Sequence, residues 1–539
     1  MATETLTPTA LGLPLKFREF RTYQLEAIRQ ILASDKRVVL MQAPTGVGKT
    51  LVMAALAKVA KEHVLYTCHT KQLQGQVVAD FPYAVELKGR RNYLCLKNPG
   101  QYPDLTAQEC SVGTGNALAR ACQMCQYASC SARKGAEADK CPCQHGCPYL
   151  LQKALAKQAE LAILNTPLFL AEANYVGDFS GWPWVVLDEG DLTEQALMGF
   201  IQVAVTRRQI ENLRLQPPAK KTVATSWVVW ADKLAIPAIQ ARLQALAGAF
   251  MPMDLREQKE LERLLSKLLF LVSQSLDRWV FIPAEDSWTF KPVFISPYAE
   301  SRLWRHGKRF LVMSATIINA RQFARDLGLK PDDVAFIDMP SPFPPERWPI
   351  HYRPVADMTY RNQAVAWPAM VGGIDEVLAA HPTEKGLIHT HSYQLARYIC
   401  QHSRFAYRLL QHEPNSRVSA LESFKASNSP QVLISPSMDR GVDLPGDLCR
   451  FLVVAKVPFP HLGDPQIAAR LYSARDGDMW YAVQTVRALV QSTGRGMRSP
   501  EDYCTNYILD AQFGRLWKEQ TGLFPVWWRQ ALLKAKDGA

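Results

Sequence analysis

The stretch RVVLMQAPTGVGKTLVMAALAKVA, residues 37–60, begins with β-branched and apolar residues, passes through a loop with two glycines, and ends in an alanine-rich segment. This order predicts a strand, a loop and a helix, which is the context in which phosphate-binding loops occur. Glycine lets backbone N–H groups approach phosphate oxygens, and the N-terminus of a helix favours negative charge. The stretch therefore predicts an α/β fold with a nucleotide site.

Each polar residue of this loop has an expected role. Gly46 and Gly48 give the backbone its close approach to the phosphates. Lys49 would reach the β- and γ-phosphates of ATP, and Thr50 would hold Mg²⁺ through its hydroxyl. Ala43 stands where the usual pattern has its first glycine, so the strict pattern is not met. We interpret the stretch as an ATP site because the flanking strand and helix patterns are both present.

A second stretch, WPWVVLDEGD (182–191), supplies the acidic residues that such a loop needs. It has the pattern of an apolar strand that ends in Asp188 and Glu189. Asp188 would complete the Mg²⁺ shell, and Glu189 would orient and deprotonate the attacking water. Alone, this pattern is more often the start of a solvated loop, but beside a phosphate-binding loop it indicates a catalytic pair.

The properties of the whole chain limit its class. A chain of 539 residues is too long for one core and predicts two to four domains. Its first 16 residues lack the pattern of a signal peptide, and no uninterrupted apolar run is long enough to span a membrane. We therefore expect a cytoplasmic protein with no membrane contact. The net charge of +12 favours a polyanionic partner such as nucleic acid.

Cysteine is concentrated in one part of the chain. Eight of the twelve cysteines lie between positions 95 and 147. Without an export signal the thiols should be reduced, so metal ligation explains them better than disulfides do. Both an iron–sulfur cluster and one or two zinc sites are compatible with eight cysteines. The cysteines at 68, 400, 449 and 504 lie in strand-like or mixed contexts, which are typical of core residues.

Three further stretches follow the acidic pair: FLVMSATI (310–317), VLISPSMDRGVDLPG (432–446) and LVQSTGRGMRSPEDY (489–503). In the last of them Arg495 and Arg498 are three residues apart, so both can face one nucleotide, as arginine fingers require. Each stretch alone could be an ordinary surface loop. Their order after a phosphate-binding loop and an acidic pair indicates a motor that couples ATP to movement on a track.

This ordered set resembles the XPD/DinG-like iron–sulfur group of superfamily 2 helicases. The resemblance extends over about residues 17–515, and only residues 192–300 match nothing by motif. Besides the stretches above, it includes the following segments: FREFRTYQLEAI (17–28), VLYTCHTKQLQGQV (64–77), LKGRRNYLC (87–95) and CPYLLQKALAKQAELAILNTPLFL (147–170).

The resemblance implies an α/β protein with two RecA-like P-loop NTPase domains. The first domain would carry an iron–sulfur cluster insertion and a helical Arch-like insertion, for which residues 257–276 show helical spacing of apolar residues. The expected boundaries are 1–94, 149–191 and 299–320 for the first RecA-like domain, 95–148 for the iron–sulfur insertion, 192–298 for the Arch-like insertion, and 321–539 for the second RecA-like domain.

The resemblance also implies roles for individual residues. The residues expected to bind the nucleotide and Mg²⁺ are Arg21 and Gln24, which match the family's adenine-reading residues, together with Gly46, Gly48, Lys49, Thr50, Asp188 and Gln491. The residues expected to act in catalysis are Lys49, Glu189, Arg495 and Arg498. For a 4Fe–4S cluster the expected ligands are Cys95, Cys130, Cys141 and Cys147. Cys122 and Cys125 are the alternative to Cys130 and Cys141 as the second and third ligands. Cys110 and Cys143 would not be ligands in either scheme.

The function implied is that of an ATP-dependent DNA helicase that moves 5′ to 3′ on single-stranded DNA. Its partners would be single-stranded DNA and forked or displaced-strand duplexes, and we expect a monomeric motor. One alternative is a DNA-dependent ATPase or translocase that remodels nucleic acid without processive unwinding. Another is a non-enzymatic nucleic-acid-binding module, which the complete set of ATP residues disfavours.

Two positions depart from the family pattern. Asp191 stands where the family usually has the histidine of Asp-Glu-Ala-His, and Gln512 stands where it tends to have arginine. A carboxylate cannot donate as that histidine does. We therefore expect Asp191 to weaken the link between the acidic motif and the domain interface, and to affect coupling more than hydrolysis.

Overall fold

The computed structural model describes residues 6–44, 46–94, 106–108, 147–247, 252–436, 444–494, 496–497 and 502–533. These residues form two α/β domains, each built on a seven-stranded parallel sheet, together with a smaller three-stranded antiparallel sheet. No helix in the described part of the chain is long and apolar enough to cross a membrane.

In the described residues before position 340 the strands are β1 (Val38–Gln42), β2 (Val64–Cys68), β3 (Val85–Leu87), β4 (Leu161–Asn165), β5 (Trp182–Asp188), β6 (Val203–Thr206), β7 (Trp279–Pro283), β8 (Ser287–Pro292), β9 (Gly307–Ser314) and β10 (Val334–Asp338). Seven of them form the first sheet, in the order β10-β1-β9-β5-β2-β4-β3. The helices of this part are α1 (Thr22–Ala33), α2 (Lys49–Ala60), α3 (Lys71–Asp80), α4 (Pro148–Gln158), α5 (Thr166–Ala171) and α6 (Thr193–Ile201). Strands β1 and β2 are buried along their whole length, as is typical of a parallel sheet covered on both faces.

The centre of this sheet brings three motifs together. Strand β9 pairs with β1 on one side and with β5 on the other. In this register Gln42 lies beside Ser314, and Asp188 lies beside Met313. Because parallel strands end at the same edge of a sheet, the phosphate-binding loop, the acidic pair and the SATI segment emerge next to one another.

The first sheet extends further along the chain than the boundary expected at residue 320. Strand β10 pairs with β1 from Val38↔Val334 to Gln42↔Asp338. No motif marks β10, because an edge strand of five residues carries no distinctive pattern.

Between β6 and β8 the chain forms a separate subdomain. Its helices are α7 (Arg207–Asn212), α8 (Ala224–Trp230), α9 (Ile236–Ala245) and α10 (Pro252–Val272). They pack on the antiparallel sheet β6-β8-β7, and their core includes Trp227 against Trp288, with ring centroids 4.4 Å apart. The helical spacing of residues 257–276 predicted the long helix. The antiparallel sheet is an addition, because strands of four to six residues are too short for a clear period-2 pattern.

The second domain contains strands β11 (Ile350–Ala356), β12 (Gly386–His389), β13 (Leu409–Gln411), β14 (Val432–Ser435), β15 (Phe451–Val454), β16 (Thr505–Asp510) and β17 (Leu532–Leu533). Their order is β13-β14-β12-β15-β16-β11-β17. Two helices, α11 (Ser296–Arg302) and α12 (Ala320–Asp326), precede this domain. Its own helices are α13 (Gln363–Ala380), α14 (Tyr393–His402), α15 (Arg417–Ala426), α16 (Pro465–Ser473), α17 (Gly477–Thr493), α18 (Gln512–Gln520) and α19 (Val526–Ala531).

Polar side chains join the two domains where α12 meets α16 and α17. The buried Arg470 donates from Nη2 to Asp326 Oδ1 at 2.7 Å and from Nη1 to Asp476 Oδ1 at 3.1 Å. Gln322 donates from Nε2 to Asp476 Oδ2 at 2.8 Å. The domains are therefore held together here by hydrogen-bonded ion pairs.

A further carboxyl, Glu194 of α6, faces the same interface. Trp480 and Gln484 of α17 each donate to Glu194 Oε2 at 3.3 Å. Burial, with a smaller contribution from the neighbouring Asp326 carboxylate, raises the pKa of Glu194 to about 7, although the Trp480 hydrogen bond and the nearby Arg487 and Arg470 oppose the shift. Glu194 therefore holds its proton more tightly in the folded protein than in the unfolded chain.

This shift predicts a pH dependence of stability. The pKa of Glu194 is raised from 4.5 to about 7 on folding. The contribution of protonated Glu194 to folding stability is therefore fully present below pH 4.5 and is lost as the pH rises through about 7. Glu194→Gln keeps an uncharged side chain at every pH. We compare the melting temperatures of Glu194→Gln and the wild type at pH 5 and at pH 8. The difference, variant minus wild type, should be larger at pH 8 by about 2 °C or more. An equal difference at the two pH values would contradict this account of Glu194.

Candidate nucleotide site and interdomain contacts

The phosphate-binding loop joins the end of β1 to the start of α2. Gly46 and Gly48 both have a φ of 80°, in the left-handed region that favours glycine. Gly48 is also tightly packed, since a Cβ added there would lie 2.5 Å from Gln24 Nε2. The loop therefore needs glycine at position 48 both for its backbone conformation and for the close approach of Gln24.

The two residues expected to recognise adenine lie against this loop. Gln24 is buried and donates from Nε2 to Val47 O at 2.7 Å and to Gly48 O at 3.2 Å. Its Oε1 accepts from the backbone N–H of Arg21 at 2.8 Å, and the Arg21 guanidinium donates to Gly46 O. The start of α1 is thus fixed to the loop, while adenine recognition by Arg21 and Gln24 stays a prediction.

Lys49 and Thr50 form the first turn of α2, at the positive end of the helix dipole. Lys49 Nζ donates to Ala43 O at 3.3 Å, which is long for a bond from an ammonium group. A phosphate oxygen could replace that carbonyl at little cost. The left-handed glycines and this ammonium group together fit a nucleotide phosphate.

The acidic pair lies at the end of β5. Asp188 is buried, with Oδ2 accepting from Tyr66 O–H at 2.5 Å and Oδ1 accepting from the Glu189 backbone N–H at 3.0 Å. Burial and the neighbouring Asp188 carboxylate raise the pKa of Tyr66 well above its usual value, so Tyr66 stays a donor. Tyr66 was not predicted from the sequence. The available signal was a tyrosine in an otherwise apolar strand, because a buried tyrosine hydroxyl requires a partner.

The backbone turns sharply after Asp188. Glu189 has a φ of 48°, which is uncommon for a residue other than glycine and is often found at functional sites. The next residue, Gly190, packs closely on β9, since a Cβ there would lie 2.2 Å from Val312 Cγ1. This turn brings Asp191 back over the sheet.

Asp191 links the two domains by accepting hydrogen bonds. Ser314 Oγ donates to Asp191 Oδ1 at 2.5 Å, and Gln491 Nε2 donates to Asp191 Oδ2 at 2.9 Å. Gln491 Nε2 also donates to Thr316 Oγ1 at 2.7 Å, and Arg487 Nε donates to Thr316 O at 3.0 Å. Asp191 therefore makes an interdomain link as an acceptor, where a histidine would donate, and its effect on coupling stays a prediction.

The chain after β9 passes from the first core to the second. The Ile318 backbone N–H donates to Gln42 Oε1 at 2.7 Å, and Gln42 Nε2 donates to Asp338 Oδ1 at 3.0 Å. The Ile318 side chain packs on the core of the second domain, and its φ is 66°. This residue is thus held by both domains in a conformation that β-branched residues rarely adopt.

Several predicted site residues lie outside the described residues: Arg495, Arg498, Cys95, Cys130 and Cys141, with the alternative ligands Cys110, Cys122, Cys125 and Cys143. Cys147 is described, and it is the half-buried residue just before α4. Within the described ranges, no group of three or more His, Cys, Asp or Glu residues could hold a metal ion. Cys68, Cys449 and Cys504 are buried, and Cys400 is partly buried, as expected for core thiols.

The segments on either side of the cysteine-rich stretch lie together. The Arg90 guanidinium lies 4.9 Å from the Tyr149 ring centroid, and Tyr93 meets Tyr149 edge to face at 5.5 Å. Glu172 accepts from Tyr149 O–H at 2.6 Å and from Lys153 Nζ at 2.6 Å. Both ends of the stretch are therefore anchored on the first domain.

Comparisons with known proteins agree with this architecture. Two family models match parts of the chain: a helicase C-terminal domain over residues 374–531 and the res subunit of type III restriction enzymes over residues 17–114. The ATP-dependent DNA helicase YoaA of Escherichia coli (strain K12) is 22% identical over 601 residues, which cover 93% of this chain and 93% of that protein.

Among solved structures, an XPD helicase matches with a TM-score of 0.63 at 16% identity, covering 96% of this chain and 100% of that chain. Xpd4 of S. tokodaii matches with a TM-score of 0.57 at 14% identity, also covering 96% of this chain and 100% of that chain. The expected fold of two RecA-like α/β domains is confirmed.

The packing of Gly48 predicts the effect of adding one methyl group. In Gly48→Ala the left-handed φ is unfavourable by roughly 1–2 kcal/mol, and the new Cβ displaces Gln24. We expect the Kd for a fluorescent ATP analogue to rise about tenfold. Gly372→Ala in α13 is the matched control, because nothing lies within 4 Å of its added Cβ, and it should bind normally. Equal binding by the two variants would show that the loop tolerates a side chain at position 48.

Proposed function

We propose that this chain is an ATP-dependent DNA helicase of the XPD/DinG-like group in superfamily 2, and that it couples hydrolysis of Mg-ATP to 5′-to-3′ movement on single-stranded DNA and to duplex unwinding. The observation that carries the proposal is the hydrogen-bonded link from Asp191, beside the acidic pair of the first domain, to Gln491 on α17 of the second. A motor needs this connection, because hydrolysis must be fast only when its two domains close.

Bound Mg-ATP would supply the phosphoanhydride bond and the divalent charge that drive the cycle. The residues of the chain hold and orient these groups. Lys49 neutralises phosphate charge, while Thr50 and Asp188 provide the oxygens that Mg²⁺ prefers. Glu189 accepts the proton of the attacking water. The left-handed glycines of the loop support this assignment, since this backbone conformation is typical of loops that bind phosphate through N–H groups.

The second domain would complete the site. Gln491 lies in the last turn of α17, and Arg495 and Arg498 follow it in the sequence. We propose that both arginines stabilise the transferred phosphoryl group, as arginine fingers do. Their arrival with the second domain would tie hydrolysis to domain closure.

Single-stranded DNA would pass over the start of α3. Thr70 caps this helix, with its side chain accepting from the Leu73 N–H at 3.2 Å. Gln72 and Gln76 are exposed on the helix and can contact a DNA backbone, as the resemblance implies. The net charge of +12 supports such a partner. We propose forked or displaced-strand duplexes as substrates and a monomeric motor.

The cysteine-rich stretch would hold a 4Fe–4S cluster through Cys95, Cys130, Cys141 and Cys147. Supporting this, the residues that flank the stretch are anchored on each other and on the first domain through Tyr149. A cluster could therefore order a short insertion whose two ends are already fixed. The strands of a duplex would separate at this insertion.

Replacing the loop lysine tests the ATP site. Lys49→Ala should abolish ATP turnover, because the phosphates lose their main cation, and should leave the Kd for single-stranded DNA within about threefold. Lys58→Ala on the same helix is the control. It removes a partly exposed ion pair to Glu160 at 2.7 Å and a cation–π contact with the Tyr83 ring at 4.3 Å, both near the other end of α2, and should retain turnover. Loss of DNA binding in a folded Lys49→Ala protein would contradict the assignment.

A forked duplex distinguishes the proposal from its alternative. The proposed helicase separates the strands with ATP, whereas a translocase hydrolyses ATP on single-stranded DNA without separating them. Forks with a single 5′ or 3′ tail test the polarity, and unwinding only from the 3′ tail would contradict 5′-to-3′ movement.

Metal content tests the cluster. Protein purified without oxygen should contain about four irons per chain and absorb near 400 nm, as iron–sulfur proteins do. Cys95→Ser and Cys147→Ser should lose the absorbance and strand separation but retain more of the ATP turnover. Cys68→Ser, a buried core thiol, should keep the absorbance.

The middle ligands are tested by a matched pair of variants. Cys130→Ser should lose the absorbance and Cys122→Ser should keep it. The reverse result would favour the Cys122 and Cys125 ligands. Zinc without iron in the anaerobic protein would replace the cluster with a zinc site.

A further inference from the structure

A group of basic side chains lies where the long helix α10 of the subdomain meets the first domain. Arg263 and Lys267 are four residues apart on α10, so they lie on the same face of the helix. Arg302 is the last residue of α11, and it lines the same open cavity as Lys267 and Tyr175, with a volume of about 50 Å³. We call Arg263, Lys267, Arg302 and the hydroxyl of Tyr175 the basic cluster.

Two members of the basic cluster are held in place by the end of α6. Lys267 Nζ donates to Gln202 O at 2.9 Å and to Phe200 O, which uses two of the three N–H groups of the ammonium. The ring of Tyr175 packs on the ring of Phe200, with centroids 5.4 Å apart, and about half of its side chain (52%) is exposed. The ammonium and the hydroxyl are therefore positioned while each can still donate to a ligand.

The positive charges of the basic cluster lack a counter-ion in the part of the chain that the structure describes. There, no carboxylate forms an ion pair with Arg263, Lys267 or Arg302. The guanidinium of Arg302 lies instead 5.5 Å from the centroid of the Phe270 ring. Burial, and to a lesser extent Arg302, lowers the pKa of Lys267 to about 8. A bound anion would therefore offset the cost of holding these cations together.

Tyr175 adds an uncharged donor to this set. Burial raises the pKa of its hydroxyl, while Arg302 and Arg263 oppose the shift, so the hydroxyl keeps its proton at neutral pH. Phosphate oxygens accept hydrogen bonds from ammonium, guanidinium and hydroxyl groups, and the planar guanidinium can bind two of them at once. The basic cluster thus has the donors of a phosphate site.

The basic cluster lies towards the edge of the first sheet that is opposite the nucleotide site. Helix α3 starts just after β2 ends, at the carboxyl edge, whereas Arg302 precedes the start of β9 and Tyr175 precedes the start of β5. Strand β5 has seven residues, so the two edges are about 20 Å apart. A phosphate bound by the cluster therefore belongs to a different part of the DNA from the phosphates over α3.

We propose that the basic cluster binds a backbone phosphate of the second strand of a DNA fork, the strand that does not pass over α3. This inference rests on the proposed function, because it identifies a further contact with the same substrate. The sheet would then lie between the two strands of the fork. Holding them apart in this way would oppose their pairing again behind the point of separation.

Replacing the two arginines tests this contact. In Arg263→Gln/Arg302→Gln the Kd for a forked duplex with two single-stranded arms should rise about tenfold. The slope of log K against log salt should become shallower by about one, as expected for one lost phosphate contact. The Kd for a single-stranded oligonucleotide should change by less than about twofold, because that strand passes over α3.

The matched control is Lys220→Gln/Lys221→Gln, which removes the same charge from two exposed lysines of the same subdomain. It should bind the fork as the wild type does. Unchanged fork affinity in a folded Arg263→Gln/Arg302→Gln protein, or an equal loss in the lysine control, would overturn the proposal. An equal loss for the fork and the single strand would also overturn it, since the phosphate would then belong to the first strand.

Tyr175→Phe provides a second test, and it replaces the arginine variant if that protein does not fold. The change removes the hydroxyl and keeps the ring that packs on Phe200. We expect the Kd for the fork to rise about threefold, with an unchanged melting temperature and unchanged affinity for the single strand. Wild-type affinity for the fork in Tyr175→Phe would contradict the assignment of the hydroxyl.

The wild type separates this inference from the proposed function. If it neither binds single-stranded DNA nor hydrolyses ATP in its presence, the proposed function fails. If it does both, and Arg263→Gln/Arg302→Gln binds the fork normally, only the inference fails. Melting temperatures in sodium phosphate and in sodium chloride of equal ionic strength test for a free anion. Protection by phosphate that the arginine variant loses, with equal fork affinities, would show a site for free phosphate and overturn the assignment to DNA.

Discussion

Most of the functional geometry depends on the parallel pairing of β1, β9 and β5 in one register. That pairing sets Gln42 beside Ser314, and the hydrogen bond from Ala43 N–H to Ser314 O at 2.8 Å continues it into the loop. A shift of one residue would turn the side chains at these strand ends to the other face of the sheet. The loop, the acidic pair and the SATI segment would then no longer meet. Burial of the strands on both faces is what holds the register.

Polar groups of the second domain contact this edge. Arg470 binds two carboxylates, Gln491 binds Asp191, and Arg487 binds a backbone oxygen. Such contacts have well-defined geometry but exchange readily with water. An apolar interface of similar size would cost more free energy to separate. The cores of the two domains are separate, so the domains can move apart without exposing either core. The interface therefore suits a motor that opens and closes in each cycle.

The sequence predicted the parts of this protein whose chemistry restricts residue choice. The left-handed backbone at positions 46 and 48 favours glycine, so the loop could be recognised from the amino-acid sequence alone. Strand β10 and the antiparallel sheet could not, because ordinary apolar residues form them and their partners are distant in sequence. Tyr66 and Glu194 were missed for a related reason. Their roles come from groups far along the chain, Asp188 and α17, which only the folded structure places beside them.

Ile318 gives the connection between the domains a property that a relaxed linker would lack. A β-branched residue at a φ of 66° is strained by about 1–3 kcal/mol, and here the strain is maintained from both sides, by Gln42 and by the second core. Releasing either contact lets the backbone return to an ordinary conformation. The joined arrangement is consequently less stable than its contacts alone would suggest. The contacts from both domains therefore have to offset the cost of this backbone conformation for as long as the domains stay joined.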